Sequence, residues 1–256
     1  MTSQDPILSK ALSTNKRWAN YTSQQDPTLF PSLSQSQSPR ILWLGCSDSR
    51  CPETTLLGLQ PGDVFTHRNI ANIISDTDGS VSAVIDYALV HLKIKSVFVC
   101  GHTKCGGVQA VLQTKDGKND SSASALTPWL APLRALARDH RTLLKTLDPE
   151  RAALALVELN VLSGVRSVRS RKVVREAARE RGVSVYGLVY DVGSGRLRVA
   201  DGASFSDAAS QGKIGGESRN RRSVEGRNVE SRAGVGRVGG GGVGVGVSGR
   251  RGPLFA

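Results

Sequence analysis

Two short apolar runs constrain the fold of this chain more than any other feature. Residues 41–44 (Ile-Leu-Trp-Leu) lie between Pro39 and Gly45, and residues 96–100 (Ser-Val-Phe-Val-Cys) precede Gly101. Runs this short and this apolar are typical of strands that are buried on both faces of a parallel sheet. Each run therefore predicts an inner strand.

A third candidate strand and an amphipathic segment lie between the two runs. The strand candidate is residues 64–66 (Val-Phe-Thr). Apolar residues then recur at the spacing of one helical face: Val81, Val84, Ile85, Ala88, Leu89 and Leu92. The alternation of strand and helix predicts an α/β fold with a central, mainly parallel sheet and flanking helices.

The second half of the chain predicts further helices and a terminal hairpin. Helical spacing runs from residue 128 to residue 147, and the next helix is expected to start at Pro149 with Asp148 as its N-cap. Residues 183–191 and 196–200 are separated by Val-Gly-Ser-Gly, which predicts a hairpin.

Two other segments have amphipathic patterns. Residues 165–181 carry seven Lys and Arg residues beside Val165, Val168 and Val173. A solvated helix explains this pattern better than a nucleic-acid-binding ridge, which is the alternative. Residues 8–30 predict a helix within an N-terminal arm, residues 1–35, that packs on a neighbour.

Charge and glycine are concentrated near the C-terminus. The 256 residues have a net charge of +12, and residues 206–256 hold nine Lys and Arg against four Asp and Glu, with 14 of the 28 glycines. Ordering so many glycines is entropically costly, so we expect a folded domain over residues 1–205 and a disordered tail over 206–256. Loose RNA binding is the alternative for the tail, but it lacks aromatic residues for base stacking, so no nucleic-acid partner is expected.

Targeting signals are not apparent. No run approaches the roughly 18 apolar residues of a membrane span, and the N-terminus lacks the pattern of a signal peptide. Lys10, Lys16 and Arg17 only weakly imitate a mitochondrial presequence. We therefore expect a cytoplasmic protein without membrane attachment.

Four cysteines are too few for a disulfide scaffold, which favours metal binding or thiol chemistry.

Reactive residues follow two of the predicted strands. Cys46 follows the first strand, while His102 and Cys105 follow the third. The carboxyl ends of parallel strands share one edge of a sheet, so these side chains are placed to converge. Two thiolates and an imidazole suit Zn²⁺, and three protein ligands leave one coordination position open, as in catalytic zinc sites.

A carboxylate and a guanidinium accompany the first cysteine. Asp48 could orient a water molecule on the metal, and Arg50 could hold that carboxylate through two hydrogen bonds. This pair favours a catalytic zinc site over a structural one, which is the alternative. Cys51 and Cys100 could equally be small buried hydrophobic residues.

The combined motifs resemble one enzyme family. Cys-Ser-Asp-Ser-Arg at 46–50, Asp-Val-Phe-Thr-His-Arg-Asn-Ile-Ala-Asn at 63–72 and His-x-x-Cys-Gly-Gly at 102–107 closely resemble the beta class of carbonic anhydrases, especially those of filamentous fungi. The resemblance runs from about residue 8 to residue 201. It implies zinc on Cys46, His102 and Cys105, and a catalytic dyad of Asp48 and Arg50.

The resemblance also implies an activity and a partner. The activity is reversible hydration of CO₂ to bicarbonate and a proton by a zinc-bound hydroxide. The residues that would line the substrate pocket are Gln37, Phe65, Ile70, Tyr87, Gly106 and Gly107. Part of such a lining comes from a second subunit, which implies a homodimer or a tetramer built from two dimers. Hydrolysis of carbonyl sulfide or carbon disulfide, and a non-catalytic zinc- or bicarbonate-binding protein, are the alternatives.

A regulatory bicarbonate site is implied by three further residues, Trp43, Arg68 and Tyr190. The alternative is that the two aromatic residues belong to the core and that Arg68 pairs with a carboxylate of the partner subunit. Cys51 and Thr103 depart from residues common in the family, and neither is expected to touch the zinc set.

Overall fold

The structure is a computed structural model that describes residues 5–113 and 124–202. The predicted tail over residues 206–256 lies outside the described residues, as does most of the polar segment before α6 (Leu126–Trp129).

A single five-stranded sheet forms the centre of the described fold. Its order is β2-β1-β3-β4-β5, in which the first four strands are parallel and the last pairing is antiparallel. The strands are β1 (Ile41–Cys46), β2 (Val64–Asn69), β3 (Ser96–His102), β4 (Ser184–Asp191) and β5 (Arg196–Val199). The predicted α/β class, the inner strands and the hairpin are confirmed. Strands β1, β2 and β3 extend beyond their predicted ends, and β1 and β3 end at Cys46 and His102.

The N-terminal segment forms two helices rather than one. Helix α1 (Pro6–Gln25) begins where the Asp5 carboxylate accepts a hydrogen bond from the amide of Ile7 (2.8 Å), and α2 (Leu29–Gln35) follows. The chain turns at Asp26, whose side chain binds both the amide and the hydroxyl of Thr28. The prediction of one helix over 8–30 was therefore wrong, because this local side-chain cap competes with helix continuation.

Helices α3 (Glu53–Leu57) and α4 (Gly79–Asp86) flank β2, and a π-helical turn over Tyr87–His91 extends α4. The predicted apolar face is confirmed, since Val81, Ile85, Ala88 and Leu89 are all buried. This face packs into the main core together with the inner strands.

The predicted helical stretch from 128 to 147 is divided into shorter helices. Pro132 lies in the first turn of α7 (Ala131–Asp139), and a helix that ran on through it from α6 would clash at this residue. A second break occurs at His140. After Gln113, the described helices are α6, α7 (Ala131–Asp139), α8 (Arg141–Thr146), α9 (Pro149–Ser170) and α10 (Lys172–Arg181); α5 (Gly106–Gln113) precedes them.

Helix α9 is the main helix behind the sheet. Asp148 caps it as predicted, accepting hydrogen bonds from the amides of Glu150 (3.1 Å) and Arg151 (2.9 Å). Its apolar residues pack on β3 and β4. The absence of a side chain at Gly101 permits this contact, because a Cβ there would lie 2.7 Å from Cγ2 of Val161.

The basic segment 165–181 spans the end of α9 and all of α10. Val165 and Val168 are buried and Val173 is half-buried, so the predicted apolar face is present. Three of the seven basic residues bind other segments of the chain instead of being fully solvated, and the first of them, Arg169, donates to the carbonyl of Val185 (2.6 Å). Arg171 binds the hydroxyl of Ser82 (2.8 Å), and Arg181 donates to the carbonyl of Leu89 (2.8 Å).

Within residues 5–113 and 124–202, none of the helices combines the length and the apolar character that crossing a membrane requires.

Candidate metal centre

Three donor side chains converge at the carboxyl ends of β1 and β3. Cys46 is the last residue of β1, His102 is the last residue of β3, and Cys105 directly precedes α5. One donor atom from each side chain lies within 4.8 Å of the other two, and all three residues are buried. The register of the parallel strands explains the convergence, because β1 and β3 are neighbours that end at the same edge.

The orientation of His102 suits a metal ligand. Its side chain is only 1% exposed. With a proton on Nδ1, the ring donates to the carbonyl oxygen of Thr103 (3.0 Å). The other nitrogen, Nε2, is buried and has no hydrogen-bond partner among the described residues. A buried nitrogen of this kind needs a partner, and a zinc ion held with the two thiolates would supply one.

The two cysteines differ in their protonation. A hydrogen bond from Cys105 lowers the pKa of Cys46 to about 4, although burial opposes the change, and His102 adds to the lowering. The same contact with Cys46, together with burial, raises the pKa of Cys105. One thiolate is thus already stabilised, and metal binding would displace the proton of the second thiol.

Cys51 influences the protonation of His102. Burial would lower the pKa of His102, but the neighbouring Cys46 and Cys51 outweigh burial and raise it to about 10. Cys51 is buried five residues after Cys46, where α3 approaches the sheet.

Asp48 and Arg50 form the bidentate pair that the motif predicts. Arg50 donates from Nε to Oδ1 (2.9 Å) and from Nη2 to Oδ2 (2.7 Å) of Asp48. These hydrogen bonds hold the pKa of Asp48 well below its usual range. Oδ2 of Asp48 also lies 3.8 Å from Nε2 of His102, so the carboxylate borders the space between the three donors.

Arg50 and Arg68 connect the segments that carry these groups. Arg50 donates to the carbonyl of Lys104 (3.1 Å), which joins the loop after β1 to the turn after β3. Arg68 donates to the carbonyls of Cys46 (2.8 Å) and Asp48 (2.5 Å). The backbone that presents the first cysteine and the carboxylate is therefore held by a side chain from β2.

The aromatic residues of the predicted regulatory site lie in a separate apolar cluster. Trp43 and Tyr190 are buried together with Cys51 and Cys100. Arg68 lies 3.7 Å from the carboxylate of Glu53 in the same chain. Nε1 of Trp43 is buried and has no acceptor within the described part of the chain.

Three residues expected in the substrate pocket adjoin the metal centre. Gly107 lies at the start of α5, where a Cβ would be 2.9 Å from Cβ of Ala71 and 3.6 Å from Cγ2 of Ile70. A Cβ at Gly106 would meet no described atom within 4 Å. Ile70 is largely exposed beside this turn.

Three other pocket candidates lie away from the metal centre of their own chain. Gln37 is exposed before β1, and the whole strand separates it from Cys46. Phe65 is stacked on Tyr87 with ring centroids 5.7 Å apart. Phe65 pairs with Leu42, four positions along the register from Cys46.

Several supporting contacts escaped the sequence analysis. Asn160 of α9 donates to the carbonyl of Ala71 (2.8 Å), and Trp129 donates to that of Ile70 (2.9 Å). Thr103 bonds to Asp191, 88 residues away (2.9 Å). Nothing in the local sequence signals these long-range contacts.

A parallel sheet with two cysteines and a histidine at its carboxyl edge is typical of one family of enzymes. Comparison of the chain with known proteins identifies that family. The family model for carbonic anhydrase matches residues 41–197. The chain therefore belongs to the carbonic anhydrase family.

Individual relatives narrow the class further. A carbonic anhydrase of Emericella nidulans is 40% identical over 191 residues, which are 74% of this chain and 81% of the relative. The crystal structure of a beta-carbonic anhydrase of Aspergillus fumigatus is 49% identical, with a TM-score of 0.72 over 80% of this chain and 98% of that chain. One of two tetrameric beta-carbonic anhydrases of Sordaria macrospora is 44% identical, with a TM-score of 0.72 over 76% and 97% of the two chains. This chain is a beta-class carbonic anhydrase of the fungal type.

Proposed function

We propose that this chain catalyses the reversible hydration of CO₂ to bicarbonate and a proton, with zinc held by Cys46, His102 and Cys105. One observation carries the proposal: the three buried donors converge beside a carboxylate that Arg50 holds through two hydrogen bonds. When bound, zinc acts as a Lewis acid that lowers the pKa of water from about 15.7 towards 7.

The role of Asp48 follows from its charge and its partner. Because its pKa is lowered, the carboxylate is ionised at neutral pH and can only accept hydrogen bonds. Its Oδ2 atom, which faces His102, can accept a hydrogen bond from the attacking water and so orient that water. Arg50 prevents the carboxylate from rotating, and this fixes the direction of the acceptor.

The substrate side of the site would be completed by a second copy of the chain. Gly106, Gly107 and Ile70 adjoin the metal centre, whereas Gln37, Phe65 and Tyr87 lie away from the metal centre of their own chain. Exposed apolar side chains on α1 and around Tyr87 support self-association; they include Ile7, Leu8, Leu12 and Val90. We propose a homodimer, and a tetramer by analogy with the Sordaria macrospora enzymes.

We also propose that Trp43, Arg68 and Tyr190 form a regulatory bicarbonate site. The unpartnered indole nitrogen of Trp43 supports this function, because a bound anion would satisfy it. Arg68 binds the carbonyls of Cys46 and Asp48, so an anion that drew Arg68 away would loosen the loop that carries Asp48.

We propose a zinc domain over residues 1–205, with its activity in the cytoplasm. A chain that ends at residue 205 should keep the zinc content and activity of the full chain. Loss of either would show that the Gly- and Arg-rich segment takes part in the enzyme.

The test of the main function is CO₂ hydration followed by stopped flow, together with zinc analysis. The purified chain should hold one zinc per chain and hydrate CO₂, and a chelator should abolish the activity. Cys46→Ser should lose zinc and activity, while Lys145→Ala, an exposed change on α8, should keep both. Zinc at full occupancy without hydration would contradict the proposal; assays of carbonyl sulfide and carbon disulfide would then separate a hydrolase from a non-catalytic binding protein.

A further inference from the structure

The turn between His102 and Cys105 is held from outside the metal centre. Lys104 within this turn has a φ of +57°, in the left-handed region that non-glycine residues avoid. Such a conformation is unfavourable by about 1 kcal/mol or more and persists only where the surroundings impose it. Contacts beyond the turn must therefore hold it in place.

Thr103 supplies most of these contacts. Its amide donates to the carbonyl of Tyr190 (2.9 Å), which extends the pairing of β3 with β4 by one residue. Its hydroxyl donates to Oδ1 of Asp191 (2.9 Å) and accepts from the amide of Val192 (3.0 Å). The hydroxyl is thus used both as a donor and as an acceptor, which fixes its direction.

Asp191 is itself anchored in the β4–β5 turn. Oδ1 accepts from the amide of Gly193 (3.2 Å), and Oδ2 accepts from the amide (3.1 Å) and the hydroxyl (2.5 Å) of Ser194. These hydrogen bonds hold the pKa of Asp191 below its ordinary value, with Ser194 as the main cause and Thr103 next. The carboxylate is therefore a fixed charged acceptor when Thr103 binds it.

The same residue controls the orientation of the imidazole. The Thr103 carbonyl accepts the hydrogen bond from Nδ1 of His102, and this directs Nε2 towards the space between the cysteines. A shift of the Thr103 backbone would rotate that carbonyl and move both His102 and the turn to Cys105. Removing a hydrogen-bond partner that fixes the ring of a metal ligand in this way typically changes the metal affinity by 10- to 100-fold.

We infer that Thr103 and Asp191 are positioning residues that link the β4–β5 hairpin to the turn bearing two of the three donors, and so slow the release of the metal. The inference rests on the metal centre of the proposed function. Neither residue has a described contact with the space between the donors, so both act through His102 and the backbone of the turn.

Both residues line a surface cleft of about 670 Å³ beside the first turn of α9. Water in this cleft can replace hydrogen bonds that a substitution removes, so the variants are expected to fold. Thr103→Val retains the shape of the side chain but loses both bonds of the hydroxyl. Thr103→Ser retains the hydroxyl, and Thr146→Val is a matched control, because the Thr146 hydroxyl only binds the Leu143 carbonyl of its own helix (2.7 Å).

The test measures the release of zinc from the holoenzyme to a chromophoric chelator. We expect release from Thr103→Val about tenfold faster than from the wild type, while Thr103→Ser and Thr146→Val remain close to the wild type. Asp191→Asn should also accelerate the release of zinc. The double variant Thr103→Val/Asp191→Asn should release zinc no faster than the more severe single variant, because the two substitutions break the same link.

Substitution with Co²⁺ supplies a second readout, because the visible absorption of a cobalt–thiolate site reports its coordination geometry. The spectrum should change in Thr103→Val and remain unchanged in Thr146→Val. Release from Thr103→Val at the wild-type rate, or equal acceleration in Thr103→Ser, would overturn the inference while leaving the proposed function intact. A wild-type chain that binds no zinc would instead overturn the proposed function.

Discussion

The guanidinium of Arg198 on β5 forms an ion pair with the carboxylate of Glu158 on α9, whose side chain has 0% exposure. Arg198 is about half-exposed, so it brings a solvated charge to a carboxylate that water does not reach. The pair ties the terminal hairpin, which also carries Asp191, to the main helix behind the sheet.

Breaking this ion pair should destabilise the fold. Arg198→Ala leaves a buried carboxylate without its charged partner, and we expect a loss of about 3 kcal/mol in the free energy of unfolding. Urea denaturation measures this loss. Arg196→Ala, on the exposed surface of the same strand, should change the stability by less than about 0.5 kcal/mol. Adding Glu158→Gln to Arg198→Ala should recover part of the loss, and a failure to recover any would show that Arg198 acts through other contacts.

Releasing the dyad should slow CO₂ hydration without removing the metal. Arg50→Gln frees Asp48 to rotate, and it lets the pKa of this carboxyl rise towards its ordinary value. We expect kcat/KM to fall about 10- to 100-fold with unchanged zinc content. Arg166→Gln, an exposed change on α9, is the control. Unaltered kinetics in Arg50→Gln would remove Arg50 from the proposed mechanism.

Asp191 should contribute to stability only above acidic pH. Its pKa is lowered in the folded state, so its contribution is present above the unfolded value of about 3.9 and is lost as the pH falls through the lower folded value. The difference in denaturation midpoint between wild type and Asp191→Asn should thus be largest from pH 5 upwards and should shrink below about pH 4. A difference independent of pH would contradict an ionised anchor.

The contact between β3 and α9 should not tolerate a methyl group. In Gly101→Ala, the new Cβ would lie 2.7 Å from Val161 and 3.0 Å from Val157, too close for normal packing. We expect a loss of about 1–3 kcal/mol, measured by thermal or urea unfolding. Gly79→Ala at the start of α4 is the control, because a Cβ there would meet nothing within 4 Å. Equal stability in both variants would show that α9 can shift away from β3 and make room for the methyl group.

The proposed regulatory site predicts a specific effect of Tyr190. Tyr190→Phe should weaken inhibition by bicarbonate below about pH 7, the pKa typical of water on zinc, while leaving the rate at high pH unchanged. Tyr186→Phe, an exposed change on the same strand, is the matched control. Identical bicarbonate inhibition in wild type and Tyr190→Phe would assign Trp43 and Tyr190 to the core alone.

Local sequence patterns predicted much of the fold because burial imposes them directly. The apolar runs at 41–44 and 96–100 became inner strands, and the spacing from Val81 to Leu92 became one buried helical face. The breaks at Asp26 and His140 were missed, because side-chain caps and packing override the apolar period locally. The convergence of Cys46, His102 and Cys105 followed from the shared edge of parallel strands.

By itself, the sequence determined the class of fold, the donor set and the dyad, since each depends on residues close together in the chain or on a rule of sheet topology. Tertiary structure decided which side chains hold that set in place: Arg68 on two carbonyls and Thr103 on Asp191. The last contact exists because His102 pairs with Tyr190 in the sheet, which brings the two following residues together. Such contacts depend on the register between strands about 90 residues apart, and only the folded chain specifies that register.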